Sequence, residues 1–236
     1  MSKKIVVWDL PTRVCHWLLV VSISYSWYCV EIAQDMEQHF WSGYTILTLI
    51  LFRFIWGFVG SRYARFRSFL FPLKEIASYA KSVKSRNTNK HYLGHNPIGS
   101  LSALAMMLAI LLQASTGLFN SDDYYFGPLS GLIDKNLAAF LSSIHQLNFD
   151  LLKLLIATHV IAILYYKFYK KENLSKAMIT GKKTVLATDK QNYPAAIRGS
   201  NLVLALLVLA LCAAIVYGLA NAFTDTLAGS EYDLIY

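Results

Sequence analysis

Five stretches of this chain are almost entirely apolar, and each is close to the ~20 residues that a helix needs to cross about 30 Å of hydrocarbon. They are Val14–Val30, His39–Gly57, Pro97–Phe119, Asn148–Tyr169 and Asn201–Ala220. The second is interrupted by Arg53, and the fifth contains no charge at all. Asn96-Pro97 reads as an N-cap followed by proline at the first helical position. Leu132–Ile144 reads as a short surface helix feeding the fourth span. The opening MSKKIVVWDLPTR is basic and partly apolar and is expected at the membrane surface. The pattern predicts an all-α polytopic membrane protein: a four-helix bundle plus a fifth, C-terminal transmembrane helix.

Composition agrees, because 56% of the 236 residues are apolar and 15% are charged, too apolar for an ordinary soluble domain. The net charge of +8 would suit nucleic acid if it were spread over one face. It is confined to alternate loops instead. Residues 61–96 hold eight Lys or Arg and one Glu, and residues 167–198 hold eight and two acids. The loops between carry the acids: Glu31, Asp35 and Glu37, then Asp122, Asp123 and Asp134, then Asp225, Glu231 and Asp233 in the tail. By the positive-inside rule the N-terminus is cytoplasmic and the C-terminus periplasmic, in a bacterial inner membrane. Nucleic acid is excluded as a partner, and lipid surrounds the chain.

Cysteine adds little. Cys15, Cys29 and Cys212 lie in apolar segments without CxxC spacing, and Thr12 stands where covalent haem attachment before His16 would need a second cysteine. No c-type haem is expected. Val14–Val30 lacks a small-residue cleavage site, so no cleavable signal peptide is expected either.

The candidate chemistry lies in the histidines. His145 and His159 are fourteen residues apart in HQLNFDLLKLLIATH, which on a helix leaves them about 40° apart in direction and about 21 Å apart along the axis. With the orientation above, His39 and His145 fall near the outer face, and His16 and His159 toward the inner one. Two neutral imidazoles from facing helices suit the axial positions of a b haem, so two haems stacked across the membrane are predicted. Arg53, four turns after His39, reaches the inner level, where a cation is costly and a haem propionate would be its counter-charge; snorkelling to the interface is the alternative. Gly43, one turn from His39, would let a porphyrin approach. Lys153 is expected near the outer interface, without a role. His91 and His95 read as surface histidines, with His95 the better candidate for a substrate or propionate contact.

These stretches resemble a known family, the prokaryotic di-haem cytochromes b of the b561 type that include the membrane subunit of nickel–iron hydrogenases. The resemblance rests on VWDLPTRVCHW at 7–17, HFWSGYTILTLILFRFIWGFVG at 39–60, LGHNPIGSL at 93–101, LLQASTGLF at 111–119, IHQLNFDLLKLLIATHVIAILYY at 144–166 and KAMITGKK at 176–183. It implies a di-haem domain over residues 1–185, with His16, His39, His145 and His159 as iron ligands, and leaves 186–236 as an added helix and tail. It also implies electron transfer between a quinone pool and an outer-face partner, a periplasmic c-type cytochrome or a hydrogenase-like protein. Direct reaction of the outer haem with a small oxidant such as superoxide is another outlet. The fifth helix departs from the four-span pattern and would dock a partner or another copy. Whether the chain belongs to a quinone-linked oxidoreductase stays open at this stage. The rival readings are a proton or metal-ion transporter using the histidines and Arg53, and a passive membrane anchor of a larger complex.

Overall fold

Helices occupy all five apolar stretches in the computed structural model, which describes residues 2–68, 70–83, 92–121, 125–186 and 200–232. Four are long and apolar enough to cross a membrane: Met36–Val59 (α2), Pro97–Gly117 (α4), Lys135–Phe168 (α5) and the Leu202–Asn221 part of Leu202–Tyr232 (α7). The helix Leu10–Tyr28 (α1) has 19 residues, so it falls short of them in apolarity and not in length. Its polar members, among them Thr12, Arg13, His16 and Ser22, lower its hydropathy. His91, Asp122, Asp123, Lys190, Arg198 and Asp233, which entered the charge and surface expectations, lie outside the described residues.

Local chemistry sets the helix ends. Asp9 starts α1 by accepting the Thr12 N–H at 2.9 Å, an N-cap contact. The helix then widens into a π turn over Cys29–Ala33 and stops where Gln34 takes the left-handed conformation (φ 52°). Asp35 accepts the Gln38 N–H at 3.0 Å and opens α2. Asn96 caps α4 through the Gly99 N–H at 2.7 Å, as the Asn-Pro pair predicts. A short helix, Leu73–Ser82 (α3), occupies the basic loop, and its buried Tyr79 hydroxyl meets that of Tyr166 at 2.8 Å.

Two expectations are corrected. Leu132–Ile144 is not a separate surface helix. From Lys135 onward it is the first part of α5, which runs unbroken for 34 residues. Neither glycine nor proline occurs between Lys135 and Phe168, and Asp134 caps the start by accepting the N–H groups of Asn136 and Leu137. The opening segment is also more than a surface strip. Ser2–Val6 (β1) pairs antiparallel with Lys182–Leu186 (β2), with Lys4 opposite Thr184 and Val6 opposite Lys182. The ladder continues through Gly181, whose carbonyl accepts the N–H groups of Val7 and Trp8 at 2.8 and 3.1 Å. Gly181 itself closes the helix Leu174–Thr180 (α6) at φ 75°.

The chain forms two compact units, each gathered from three stretches. One comprises residues 1–16, 53–106 and 155–205, and the other 17–52, 107–154 and 206–236. Polar side chains such as Ser26, Arg53, Thr116 and Asn148 are buried, whereas Leu147, Leu154, Leu206 and Leu207 are exposed. That distribution suits a chain with lipid as its solvent.

Candidate functional site

The second unit brings His39 of α2 and His145 of α5 together. Their ring centroids are 6.4 Å apart and their planes are 89° to each other. The Nδ1 atom of His39 lies 3.2 Å from the Ser26 carbonyl and 2.9 Å from the Ser26 hydroxyl. That of His145 lies 3.0 Å from the Gln113 carbonyl and 3.2 Å from the Thr116 hydroxyl. A carbonyl can only accept, so in both rings Nδ1 carries the proton and the lone pair is on Nε2. This is how ligating histidines are oriented, with one nitrogen committed to a protein acceptor and the other left for the metal.

A second layer fixes the first. The Thr116 hydroxyl donates to the Leu112 carbonyl at 2.8 Å, which leaves its oxygen free to accept from His145. Asn148, one turn beyond His145, is buried and donates to the Ala109 carbonyl and the Gln113 amide oxygen at 2.9 and 2.7 Å. Ser42 donates to the His39 carbonyl at 2.8 Å. Gly117, the last residue of α4, leaves room for the ring, since a Cβ there would lie 3.0 Å from His145 Cε1. Gly43 faces open space, with nothing within 4 Å of a Cβ built on it.

The first unit gathers His16 of α1, Arg53 of α2, His95 and His159 of α5. His16 and His159 are close enough for their charges to interact. His95 is not the surface histidine expected. It is half-buried, and its ring meets that of Trp8 edge-on at 4.8 Å. Burial pushes its pKa down to about 3, helped by the charges of Arg53, Lys183, His159 and His16, so it is a neutral imidazole at ordinary pH. Arg53 is buried, with its guanidinium 5.9 Å from the Phe66 ring centroid. The carboxylate of Asp9 acts on it. Asp9 is itself buried, and its second oxygen accepts from Trp56 Nε1 at 3.0 Å, one turn beyond Arg53.

His39 thus meets His145, His16 lies within electrostatic range of His159, and Arg53 belongs to the same unit as that second pair. Sequence reasoning missed Ser26, Gln113, Thr116 and Asn148 around His39 and His145, and Trp8, Asp9 and Trp56 around the other pair, whereas it singles out His95 as a substrate or propionate contact. Asn148 had a signal, as a polar residue three positions after a candidate ligand in an apolar run. Gln113 meets His145 through its backbone carbonyl, which carries no side-chain signature.

A b haem fits the outer pair. Two imidazole–metal bonds of about 2.0 Å plus two ring radii place ring centroids about 6.3 Å apart, and the observed separation is 6.4 Å. Among the described residues no group of three or more His, Cys, Asp or Glu is placed to hold a metal ion. His39 and His145 offer two imidazole nitrogens, the number that a porphyrin-held iron leaves to the protein.

The fold and these pairs define a multi-pass helical membrane protein built as a b-type cytochrome. The chain belongs to the prokaryotic cytochrome b561 family, whose profile matches residues 7–181. It is therefore a membrane electron-transfer protein of a haem b family. No curated protein and no solved structure matches the chain.

Proposed function

We propose that the chain conducts electrons across the bacterial inner membrane through two b haems, one on each histidine pair. Electrons pass between a quinone pool and a redox partner at the outer face, a periplasmic c-type cytochrome or a hydrogenase-like protein. The haem-binding domain is residues 1–185, and residues 186–236 add a fifth crossing. The geometry of His39 and His145 carries this reading: perpendicular rings 6.4 Å apart, each with Nδ1 committed to a backbone carbonyl.

Each bound haem supplies a one-electron carrier that cycles without exchanging ligands. The chain's residues do the rest. His39 and His145 hold the outer iron, oriented by Ser26 and by Gln113 with Thr116. His16 and His159 hold the inner iron, with the Arg53 guanidinium beside them to offset a propionate.

A reduced-minus-oxidised spectrum of the purified chain should show b-type bands, with two haems per polypeptide. His145→Ala should lose chiefly the outer haem and His159→Ala chiefly the inner one. Absence of b-type bands would sink the reading, and two low-spin haems surviving in either variant would overturn the ligand assignment.

A further inference from the structure

A cleft of about 270 Å³ opens between α1, α2 and α7, within the second unit. Tyr25 of α1, Gln38, Trp41, Ser42 and Thr45 of α2 and Tyr217 of α7 line it. Ligand pockets start at about 300 Å³, so this volume suits a head group whose tail stays outside. Val21, also on the wall, is 63% exposed, so such a tail leaves directly into lipid. Hydroxyl and amide groups in a membrane span are costly when they face lipid without a partner. A polar occupant removes that cost.

The lining selects the chemistry of the occupant. Among the described residues no charged side chain lines the cleft, so a phosphate head would find no counter-charge. A neutral ring carrying oxygens fits. The Thr45 and Tyr217 hydroxyls meet at 3.0 Å, and either can be the donor. When Thr45 donates to the Trp41 carbonyl, at 3.0 Å, Tyr217 donates to Thr45 and its own oxygen can accept from a ligand hydroxyl. When Thr45 donates to Tyr217 instead, the Tyr217 proton is free to meet a ligand carbonyl. Gln38 is equally two-sided: its amide oxygen accepts from the Tyr25 hydroxyl at 3.4 Å and keeps a second lone pair, while its amide nitrogen is a donor. A quinol needs acceptors and a quinone needs donors, and these groups offer either. Gln38 and Thr45 are seven residues, about 10.5 Å, apart along α2, so each can meet one end of a ring with oxygens at opposite positions. Trp41, stacked on Tyr217 with centroids 5.9 Å apart, supplies an aromatic wall.

Position ties the cleft to His39. Gln38 precedes that residue, Ser42 donates to its carbonyl at 2.8 Å, and Tyr25 precedes Ser26, which holds its ring. The family profile matches residues 7–181, so Tyr217 and α7 are additions of this chain.

We propose that this cleft binds the head group of a membrane quinol or quinone, with Gln38 and the Thr45–Tyr217 pair on its two oxygens. The site rests on the electron-transfer reading above and puts quinone exchange beside His39. A quinol oxidised there breaks its two O–H bonds, gives two protons to the outer water and two electrons to ferric iron, one electron per iron, and leaves as the quinone.

Haem-loaded chain in quinone-free lipid nanodiscs supplies the test. On illumination, an azido-substituted decylubiquinone should label peptides that contain Gln38–Thr45 or Tyr217. Unlabelled decylubiquinone should compete, and excess phosphatidylglycerol should not. Reduction of the haems by decylubiquinol should half-saturate at about fivefold higher concentration in Tyr217→Phe and in Gln38→Leu, one hydrogen bond each, and at about 25-fold higher in the double variant. Haem content and spectra should match wild type. Label confined to other peptides, competition by phosphatidylglycerol, or half-saturation unchanged in both single variants would each overturn the site. With both haems in place such a result refutes the cleft alone, whereas missing b-type bands refute the electron-transfer reading itself. Phenylalanine keeps the stack on Trp41 and Gln38 is exposed, and should either variant still fail to accumulate, the label on wild type decides.

Discussion

Gly117 shows how one missing methyl group can decide the fate of a site. Alanine is the better helix former by about 0.8–1.0 kcal/mol, yet its Cβ would stand 3.0 Å from His145 Cε1 and 3.4 Å from Nδ1. A ring pinned by the Gln113 carbonyl and, as proposed, by a haem iron could not swing away, and disturbing such supporting contacts costs metal sites about 10–100-fold in affinity, or roughly 1.4–2.7 kcal/mol. Crowding should win, so Gly117→Ala should lower outer-haem occupancy while leaving the inner haem in place, as read from haem content. Charge governs the inner site. A cation beside the iron favours adding an electron, so Arg53→Gln should lower the inner midpoint potential. Asp9 is an anion acting on Arg53, so Asp9→Asn should raise it. Asparagine remains a good N-cap, which keeps the start of α1. Redox titration separates the two signs, and equal shifts at both haems would refute the placement. The histidines and Arg53 were legible in the sequence because a polar residue in an apolar run must have a reason. Asp9 was not, because it lies in a polar segment where a carboxylate needs none.

Helices left a stronger trace in the sequence than strands did. The Asn96-Pro97 cap and the apolar runs mark α2, α4 and the start of α7 to within a few residues, though α7 runs on to Tyr232, beyond the expected end at Ala220. For α5 the hydropathy drop before Asn148 suggests a break, but helix continuity depends on backbone breakers, and there are none after Lys135. The β1–β2 ribbon could not be read at all. Its partners are about 180 positions apart, no hairpin turn joins them, and KKIV and KKTV carry too much lysine to look like strands. A two-stranded ribbon is marginal alone, so its worth lies in what it positions. Through Gly181 it holds the backbone of Val7 and Trp8, next to Asp9 and the Trp8–His95 contact. Gly181→Ala would force a left-handed alanine, at about 1–2 kcal/mol, with its Cβ 2.7 Å from the Trp8 carbonyl. The variant should melt earlier and lose inner haem before outer haem. Loss of the outer haem first would show that the ribbon does not support the inner site.

At the scale of the molecule, one question governs every assignment of side: whether α1 crosses the membrane. Its apolarity is the weakest of the five helices, yet its length, about 28 Å at 1.5 Å per residue, nearly matches the hydrocarbon. Some of the polar groups of α1 are also satisfied within the protein. Ser24 donates back to the Val20 carbonyl at 2.8 Å, Ser26 receives His39, and Arg13 reaches the Ile179 carbonyl. Hydropathy counts these groups as if they met lipid bare, and so overstates the cost of inserting α1. Charge then fixes direction. Exposed Glu31, Asp35 and Glu37 flank the start of α2, and exposed Arg62, Arg65 and Arg67 follow its end. Basic loops tend to stay in the cytoplasm, so on the proposed orientation α2 runs inward, with His39 toward the outside and Arg53 inside. A periplasm-active reporter fused after Asp35 should therefore be active, one after Ser68 inactive, and one after Gly127 active again. Activity after Gly127 with none after Asp35 would mean that α1 does not cross. His16 could then face His159 only from the cytoplasmic surface, and the inner haem would lose its place within the bilayer.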